Sequence, residues 1–226
     1  MAFSIWKPFA AIARCGAFAL LALSSQAGDE AIAQEPTVIV AYGDSLTAGY
    51  QLPPDAAFPV QLEKALMDKG LNVRVVNSGV SGDTSADGLA RFDWAMPEDA
   101  DAVILELGAN DSLRGIAVAE TRKALGEILK RLKDRKIPVL IAGMEAPRNW
   151  GDDYVAEFRK MYADLAAEYG ADLYPFFLDG VALDNSLSLA DGMHPNEKGV
   201  GVIVERILPK VEELIEKAEN RPAKES

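Results

Sequence analysis

Two rhythms of apolar positions run along this chain. Short runs rich in β-branched and apolar residues, Val38–Tyr42, Val73–Asn77, Ala102–Leu107 and Pro138–Ala142, read as buried strands, since a strand covered on both faces shows no polar face. Ala171–Tyr174 is a fifth, shorter candidate. Between them the spacing turns helical. Phe58, Leu62, Ala65 and Leu66 share a face closed by Gly70, and Leu125, Ile128, Leu129 and Leu132 share another within 119–135. Further helices are expected from Ser85 to Arg91, over 153–169, and along Val200, Ile203, Val204, Ile207, Val211, Leu214 and Ile215. Pro138 opens its strand, where proline is tolerated. Pro209 falls inside the last periodic stretch, which predicts a kink there or a restart as a second helix. Strands alternating with helices predict right-handed βαβ units and an α/β fold on a mainly parallel five-stranded sheet.

In open α/β sheets ligands bind beyond the C-terminal ends of the strands. The first three strands end in Gly43-Asp44-Ser45, in Asn77-Ser78-Gly79-Val80-Ser81-Gly82-Asp83 and in Gly108-Ala109-Asn110-Asp111. Three polar, glycine-bearing loops at one sheet edge predict a site. Ser45 stands at a strand-to-helix junction, where its hydroxyl can meet the N–H groups of a helix start, an arrangement suited to a nucleophile whose product carries an oxyanion. The plainer alternative is that Asp44 or Ser45 caps the helix.

A serine nucleophile needs a base, and His194 is the only histidine. Imidazole, with an unperturbed pKa of about 6.5, suits that task near neutral pH. His194 lies in Asp191-Gly192-Met193-His194-Pro195-Asn196. Asp and His three positions apart on one turn can bond, the carboxylate holding the Nδ1–H tautomer and leaving Nε2 free for serine. Alternatively the pair merely shapes a turn. Metal binding lacks ligands, because one histidine among carboxylates is a poor zinc site. Oxyanion donors are available in the Ser45 N–H, a glycine N–H of the second loop and the Asn110 amide, although Asn110 could instead close its own turn.

A length of 226 residues with 49% hydrophobic and 26% charged residues suits one sizeable folded domain and excludes bulk disorder. Residues 1–33 read differently. Lys7 and Arg14 precede the apolar Ala17–Leu23, and small residues allow cleavage after Ala27 or Ala33, the pattern of a secretory signal peptide. That apolar core is shorter than the roughly 18 residues of a membrane span, so no stable membrane insertion is expected. The single cysteine, Cys15, leaves with the peptide, so the domain at 34–219 must be held by its core rather than by disulfides. Residues 220–226 read as a frayed tail. A net charge of −12 disfavours nucleic acid and anionic membranes as partners.

The ordered blocks Gly43-Asp44-Ser45-Leu46, Gly82, Gly108-Ala109-Asn110-Asp111 and Asp191-Gly192-Met193-His194-Pro195 resemble those of the GDSL, or SGNH, hydrolases. The resemblance spans nearly all of the mature chain. It implies the family's three-layer, flavodoxin-like α/β fold, with Ser45 as nucleophile, His194 as base and Asp191 orienting it. It also implies an oxyanion hole of Ser45, Gly82 and Asn110. Gly82 is chosen over Gly79 because the family glycine lies five positions after the strand-ending Asn77. More narrowly, Gly43–Tyr50, Ser81–Ser85, Leu107–Asp111, Leu113-Arg114-Gly115 and Tyr174-Pro175-Phe176-Phe177 look like the bacterial periplasmic arylesterase, acyl-CoA thioesterase and lysophospholipase branch.

That likeness implies a periplasmic, monomeric serine hydrolase that needs no cofactor or metal and acts on small-molecule or lipid acyl esters and thioesters. Ala109 departs from relatives that carry Gly there, a change that should leave Asn110 in place. Thr47 excludes the Gly-x-Ser-x-Gly elbow of α/β-hydrolases. Met144, Pro147 and Trp150, in the loop after the fourth strand, are expected to line the acyl groove, the alternative being local packing of that loop. Competing functions are a carbohydrate O-deacetylase, an acyltransferase, and a secreted binding protein without catalysis.

Overall fold

The computed structural model describes residues 1–5 and 35–221. The chain divides into two units, Met1–Ala33 and Gln34–Ser226, and the architecture below is that of the second. The apolar stretch Ala17–Leu23, Cys15, both cleavage positions and the tail beyond Arg221 lie outside the described residues.

Five strands, β1 (Thr37–Gly43), β2 (Val73–Gly79), β3 (Ala102–Glu106), β4 (Val139–Ala142) and β5 (Asp172–Tyr174), form one sheet in the order β2-β1-β3-β4-β5. Every ladder is parallel, as strands linked through helices require. Ile39, Val40, Val103, Ile104, Leu140 and Ile141 are fully buried, which is why these strands read as unbroken apolar runs.

The order reverses between β1 and β3, and the crossovers follow from it. A right-handed connection leftward from β1 to β2 puts its helix on one face, and rightward connections put theirs on the other. Accordingly α2 (Phe58–Asp68) packs with the closing helix α7 (Glu197–Glu219), whereas α3 (Ser85–Ala95), α5 (Val118–Asp134) and α6 (Asp152–Tyr169) pack in sequence on the opposite side. Two short helices, α1 (Ser45–Ala48) and α4 (Ala109–Leu113), start directly from the ends of β1 and β3. The reversal point therefore lies between two helix starts, the place where this class of sheet opens a crevice.

Two readings change. The segment Ala109–Asp111, expected as plain loop, is the first turn of α4. Helix α7 runs unbroken through Pro209 rather than restarting. Proline inside a helix costs about 3 kcal/mol, but Val204, Ile207, Val211 and Leu214 are buried on both sides of it. Each fully buried chain of that size contributes about 1.5–3 kcal/mol, so one continuous apolar stripe wins. At the end of α7 the Asn220 side chain donates to the Glu216 carbonyl at 2.7 Å and Arg221 to the Asp101 carbonyl at 2.9 Å. Among the described residues no helix is long and apolar enough to cross a membrane.

Candidate active site

The end of β1 makes its turn through Asp44, whose Oδ1 accepts the Leu46 N–H at 3.0 Å and caps α1. The capping alternative is thus true of Asp44, and it sets up Ser45 rather than competing with it. Ser45 is the first residue of α1, nearly buried, and among the described residues its N–H has no intramolecular partner. The β2–α3 loop supplies Gly82, at φ +89, a left-handed angle that favours glycine. Of the two candidate glycines, Gly79 gives its N–H to Asn77 Oδ1 at 3.0 Å, whereas the Gly82 N–H has no partner among the described residues.

His194 reaches Ser45 from the loop before α7. The left-handed Gly192 (φ +69) lets that loop turn sharply, and Leu189 N–H donates to the His194 carbonyl at 2.7 Å to close it. Asn196 caps α7, its Oδ1 accepting from Lys198 and Gly199, and its amide donates to the Ser186 and Ser188 carbonyls. The loop is therefore fastened to a helix start on the sheet's face. His194 Nε2 stands 2.9 Å from Ser45 Oγ, and Nδ1 stands 2.7 Å from Asp191 Oδ2. Asp191 Oδ1 accepts the backbone N–H groups of His194 (3.0 Å) and Met193 (2.9 Å). Those two donors, with the imidazole, hold the Asp191 carboxyl down at about 2. An ionised Asp191 can only accept, so Nδ1 carries the hydrogen and Nε2 presents its lone pair to the serine hydroxyl.

Asn110 does not close its own turn. Its Nδ2 donates across the crevice to Asp44 Oδ2 and to the Asp83 carbonyl, both at 3.0 Å, which places the amide between the Ser45 and Gly82 loops. The three loops are bolted together around it. Arg91, buried in α3, donates to Asp83 Oδ2 at 2.6 Å and to the Gly43 carbonyl at 2.9 Å, with its guanidinium 4.2 Å from the centre of the Tyr42 ring. Asp111 accepts from Ser85 (N–H at 2.8 Å, hydroxyl at 2.5 Å) and from the Thr121 hydroxyl at 3.0 Å. The Tyr50 ring lies 4.5 Å from that of His194, centre to centre.

Sequence reasoning missed Arg91, Asp83, Asp111 and Tyr50 as parts of the site. The only available signal was the unusual density of polar residues in Ser81–Ser85, because the partners lie far apart along the chain. Among the described residues no group of three or more His, Cys, Asp or Glu side chains is placed to hold a metal ion.

Beside Ser45 opens a cavity of about 280 Å³ whose wall includes Asn110 and His194. Met144 and Pro147 line it. Trp150 does not. The turn Arg148–Trp150 carries its ring outward onto Gly115, where an added Cβ would lie 2.6 Å from it, and against Tyr154 at 6.2 Å. The remaining apolar wall comes from elsewhere, with Leu46 and Leu113 on one side and Leu178, Val181, Leu183 and Met193 from the segments after β5.

Residues 41–202 match the model of the GDSL-like Lipase/Acylhydrolase family. The chain is 35% identical over 201 residues to Esterase TesA of Pseudomonas aeruginosa, covering 88% of this chain and 96% of that one. It is 35% identical over 174 residues to Thioesterase 1/protease 1/lysophospholipase L1 of Escherichia coli K12, covering 76% of this chain and 82% of that one. Among solved structures, the SGNH-hydrolase family esterase AlinE4 superposes with a TM-score of 0.68 at 45% identity, over 79% of this chain and 96% of that one.

Proposed function

The chain belongs to the GDSL-like lipase/acylhydrolase family, and on that premise we propose that it is a serine hydrolase that cleaves carboxylic esters and thioesters through an acyl-serine intermediate. One observation carries this reading: Ser45 Oγ, the His194 ring and Asp191 stand in a line of hydrogen bonds of 2.9 and 2.7 Å at the mouth of an apolar cavity. The names of the related TesA and thioesterase 1/lysophospholipase L1 proteins support the same class of substrate.

In the proposed reaction Ser45 attacks the acyl carbonyl carbon while its proton passes to His194 Nε2. The carbonyl π electrons move to oxygen, and that oxyanion takes the N–H groups of Ser45 and Gly82. Asn110 supplies the third donor. Its Nδ2 bonds Asp44 Oδ2 and the Asp83 carbonyl, and a small rotation of the whole amide exchanges the bond to the carbonyl for one to the oxyanion. The imidazolium, steadied by ionised Asp191, then protonates the departing alcohol or thiolate as the carbonyl re-forms. Water enters, gives its proton to His194, and attacks the acyl-serine. Collapse of the second tetrahedral intermediate releases the acid and returns the proton to Ser45. The Ser45 and Gly82 N–H groups stand in place before charge develops, the condition under which such groups lower a barrier most.

The cavity wall of Leu46, Met144, Pro147, Leu178, Val181 and Leu183 favours an acyl chain longer than acetyl, and so an esterase over a carbohydrate deacetylase. Residues 1–33 are proposed to be a cleaved export peptide, leaving a periplasmic domain at 34–219, on the strength of Lys7, Arg14 and the Ala17–Leu23 core. N-terminal sequencing of the exported protein tests cleavage after Ala27 or Ala33.

The activity test is hydrolysis of p-nitrophenyl esters from acetyl to palmitoyl by the mature protein, beside Ser45→Ala and His194→Ala. The expected result is activity on medium chains that disappears in both variants while their folding persists. Activity surviving Ser45→Ala overturns the mechanism. An optimum at acetyl gives the deacetylase reading precedence, and product diverted to an added alcohol identifies acyl transfer.

A further inference from the structure

Behind the oxyanion donors lies an acid that the reaction above does not use. Glu106 ends β3, fully buried, with Gly43 as its register partner in β1. A Cβ at Gly43 would run into the Glu106 and Thr47 side chains, so glycine there is what gives the carboxyl its room. A buried carboxylate is costly unless it is paired or fully hydrogen-bonded. Glu106 Oε2 accepts the Thr47 hydroxyl at 2.8 Å and the Asp44 N–H at 3.3 Å. Its other oxygen, Oε1, meets no donor among the described residues.

The adjacent Asp44, also fully buried, has the opposite character. Both of its oxygens accept, Oδ1 from Leu46 and Oδ2 from Asn110, bonds that favour the ionised form. The two residues are joined through the Asp44 backbone, whose N–H donates to Glu106 Oε2. A buried carboxyl oxygen that faces no donor is the place for a hydrogen, since the neutral acid escapes the cost of a buried charge.

We infer that Glu106 is a positioning residue: a neutral acid with its hydrogen on Oε1, it holds the Thr47 hydroxyl and the Asp44 N–H on Oε2 and thereby fixes the turn whose Asp44 carboxylate aims the Asn110 amide. The inference rests on the reading of Asn110 as an oxyanion donor. Burial pushes the Glu106 carboxyl well above the usual range and Asp44 up to about 6. The charge of Asp44 adds to burial in raising Glu106, which favours its neutral form. The other titratable groups facing the pair are His194, whose charge favours ionised Asp44, and the buried Tyr162 of α6, whose hydroxyl the two acids push upward.

The chain Glu106–Asp44–Asn110 thus links the floor of the sheet to a donor of the oxyanion hole. A donor displaced by about 1 Å loses on the order of 10² in rate, so holding Asp44 still is a functional task and not only a packing one.

Two measurements test this. The first is infrared spectroscopy of the whole folded protein near neutral pH. A carbonyl stretch of an un-ionised carboxylic acid is expected in the wild type and absent in Glu106→Gln; a wild type without that band overturns the proton assignment. This arm needs only Glu106→Gln, which keeps the shape, offers its amide oxygen to the Thr47 hydroxyl and the Asp44 N–H, and is expected to fold and retain most of kcat.

The second is kinetic. Glu106→Met is expected to lower kcat by about 10- to 100-fold with KM within about twofold, since only alignment at the transition state is lost. In an Asn110→Ala background the same change should cost less than about twofold more, because residues acting through one another are not additive. Losses that multiply fully, or a loss confined to KM, overturn the inference. An Asn110→Ala variant with undiminished kcat instead overturns the reading of Asn110, which tells the two failures apart. If Glu106→Met does not fold, the infrared result and the retained kcat of Glu106→Gln decide.

Discussion

Asp191→Asn separates the two tasks that Asp191 performs. Its Oδ1 takes the N–H groups of Met193 and His194 at 2.9 and 3.0 Å, which shapes the turn, while Oδ2 takes the imidazole at 2.7 Å, which sets the tautomer. Asparagine keeps the first with its carbonyl oxygen, so the turn and the fold should survive. Its amide group then stands where Oδ2 stood. Two donors cannot face each other, so His194 must place its hydrogen on Nε2 and accept at Nδ1. Nε2 then points an N–H at Ser45 Oγ and cannot take the serine proton. The expected fall in kcat is about 10⁴-fold, equivalent to about 5.5 kcal/mol of lost transition-state stabilisation. The carboxyl held at about 2 is ionised throughout the neutral range, so the deficit should not close on mild acidification. The assay is steady-state hydrolysis of a medium-chain p-nitrophenyl ester, with urea unfolding of both proteins as the control. A folded Asp191→Asn variant that keeps a tenth or more of the wild-type kcat would refute the tautomer argument.

Three further outcomes are expected. Gly82→Ala meets no atom within 4 Å but must hold a left-handed φ of +89, a strain of about 1–2 kcal/mol; it should lower kcat by moving its N–H, with a small loss of stability in urea. Gly79→Ala, whose Cβ would strike the backbone of Ala48, should by contrast show the larger stability loss. Val181→Trp, which fills the cavity wall, should shorten the preferred acyl chain in the p-nitrophenyl series, whereas Trp150→Ala should leave the preference where it is. Finally, Asp44 is raised to about 6 by burial, so the folded state binds its proton more tightly than the unfolded chain. Its contribution is therefore complete below the ordinary carboxylate value and is lost as pH rises through about 6. Melting curves should show wild type gaining on Asp44→Asn as pH falls through that window, and a constant difference would contradict the shift.

The neighbours of the site differ sharply in how far their partners lie along the chain. Asp191 and His194 are three residues apart, and Asp44 caps the helix that begins at Ser45, so these relations are written in local spacing. Arg91 meets Gly43 across 48 residues, Glu106 meets Thr47 across 59, and Asn110 meets Asp44 across 66. No local pattern announces contacts of that range. Trp150 shows the same limit from the other side. Its place in a loop at the active edge was legible, but the direction of its ring was not, because a three-residue turn and the space over Gly115 decide it.

What the sequence alone determined is the alternation of buried strands and amphipathic helices, the edge at which the polar loops gather, and the residues able to serve as nucleophile, base and oxyanion donors. These follow from periodicity, from the preferences of glycine and aspartate in turns, and from side-chain chemistry, all of which act within a few residues. The tertiary structure alone decided that Pro209 is carried through a single helix, that Gly82 rather than Gly79 has a free N–H, and which side chains wall the cavity. It alone put two buried acids side by side behind Asn110. Each of those outcomes depends on which distant segment fills a given space and supplies the missing hydrogen-bond partner, and the closing of the sheet around β1 and β3 settles that.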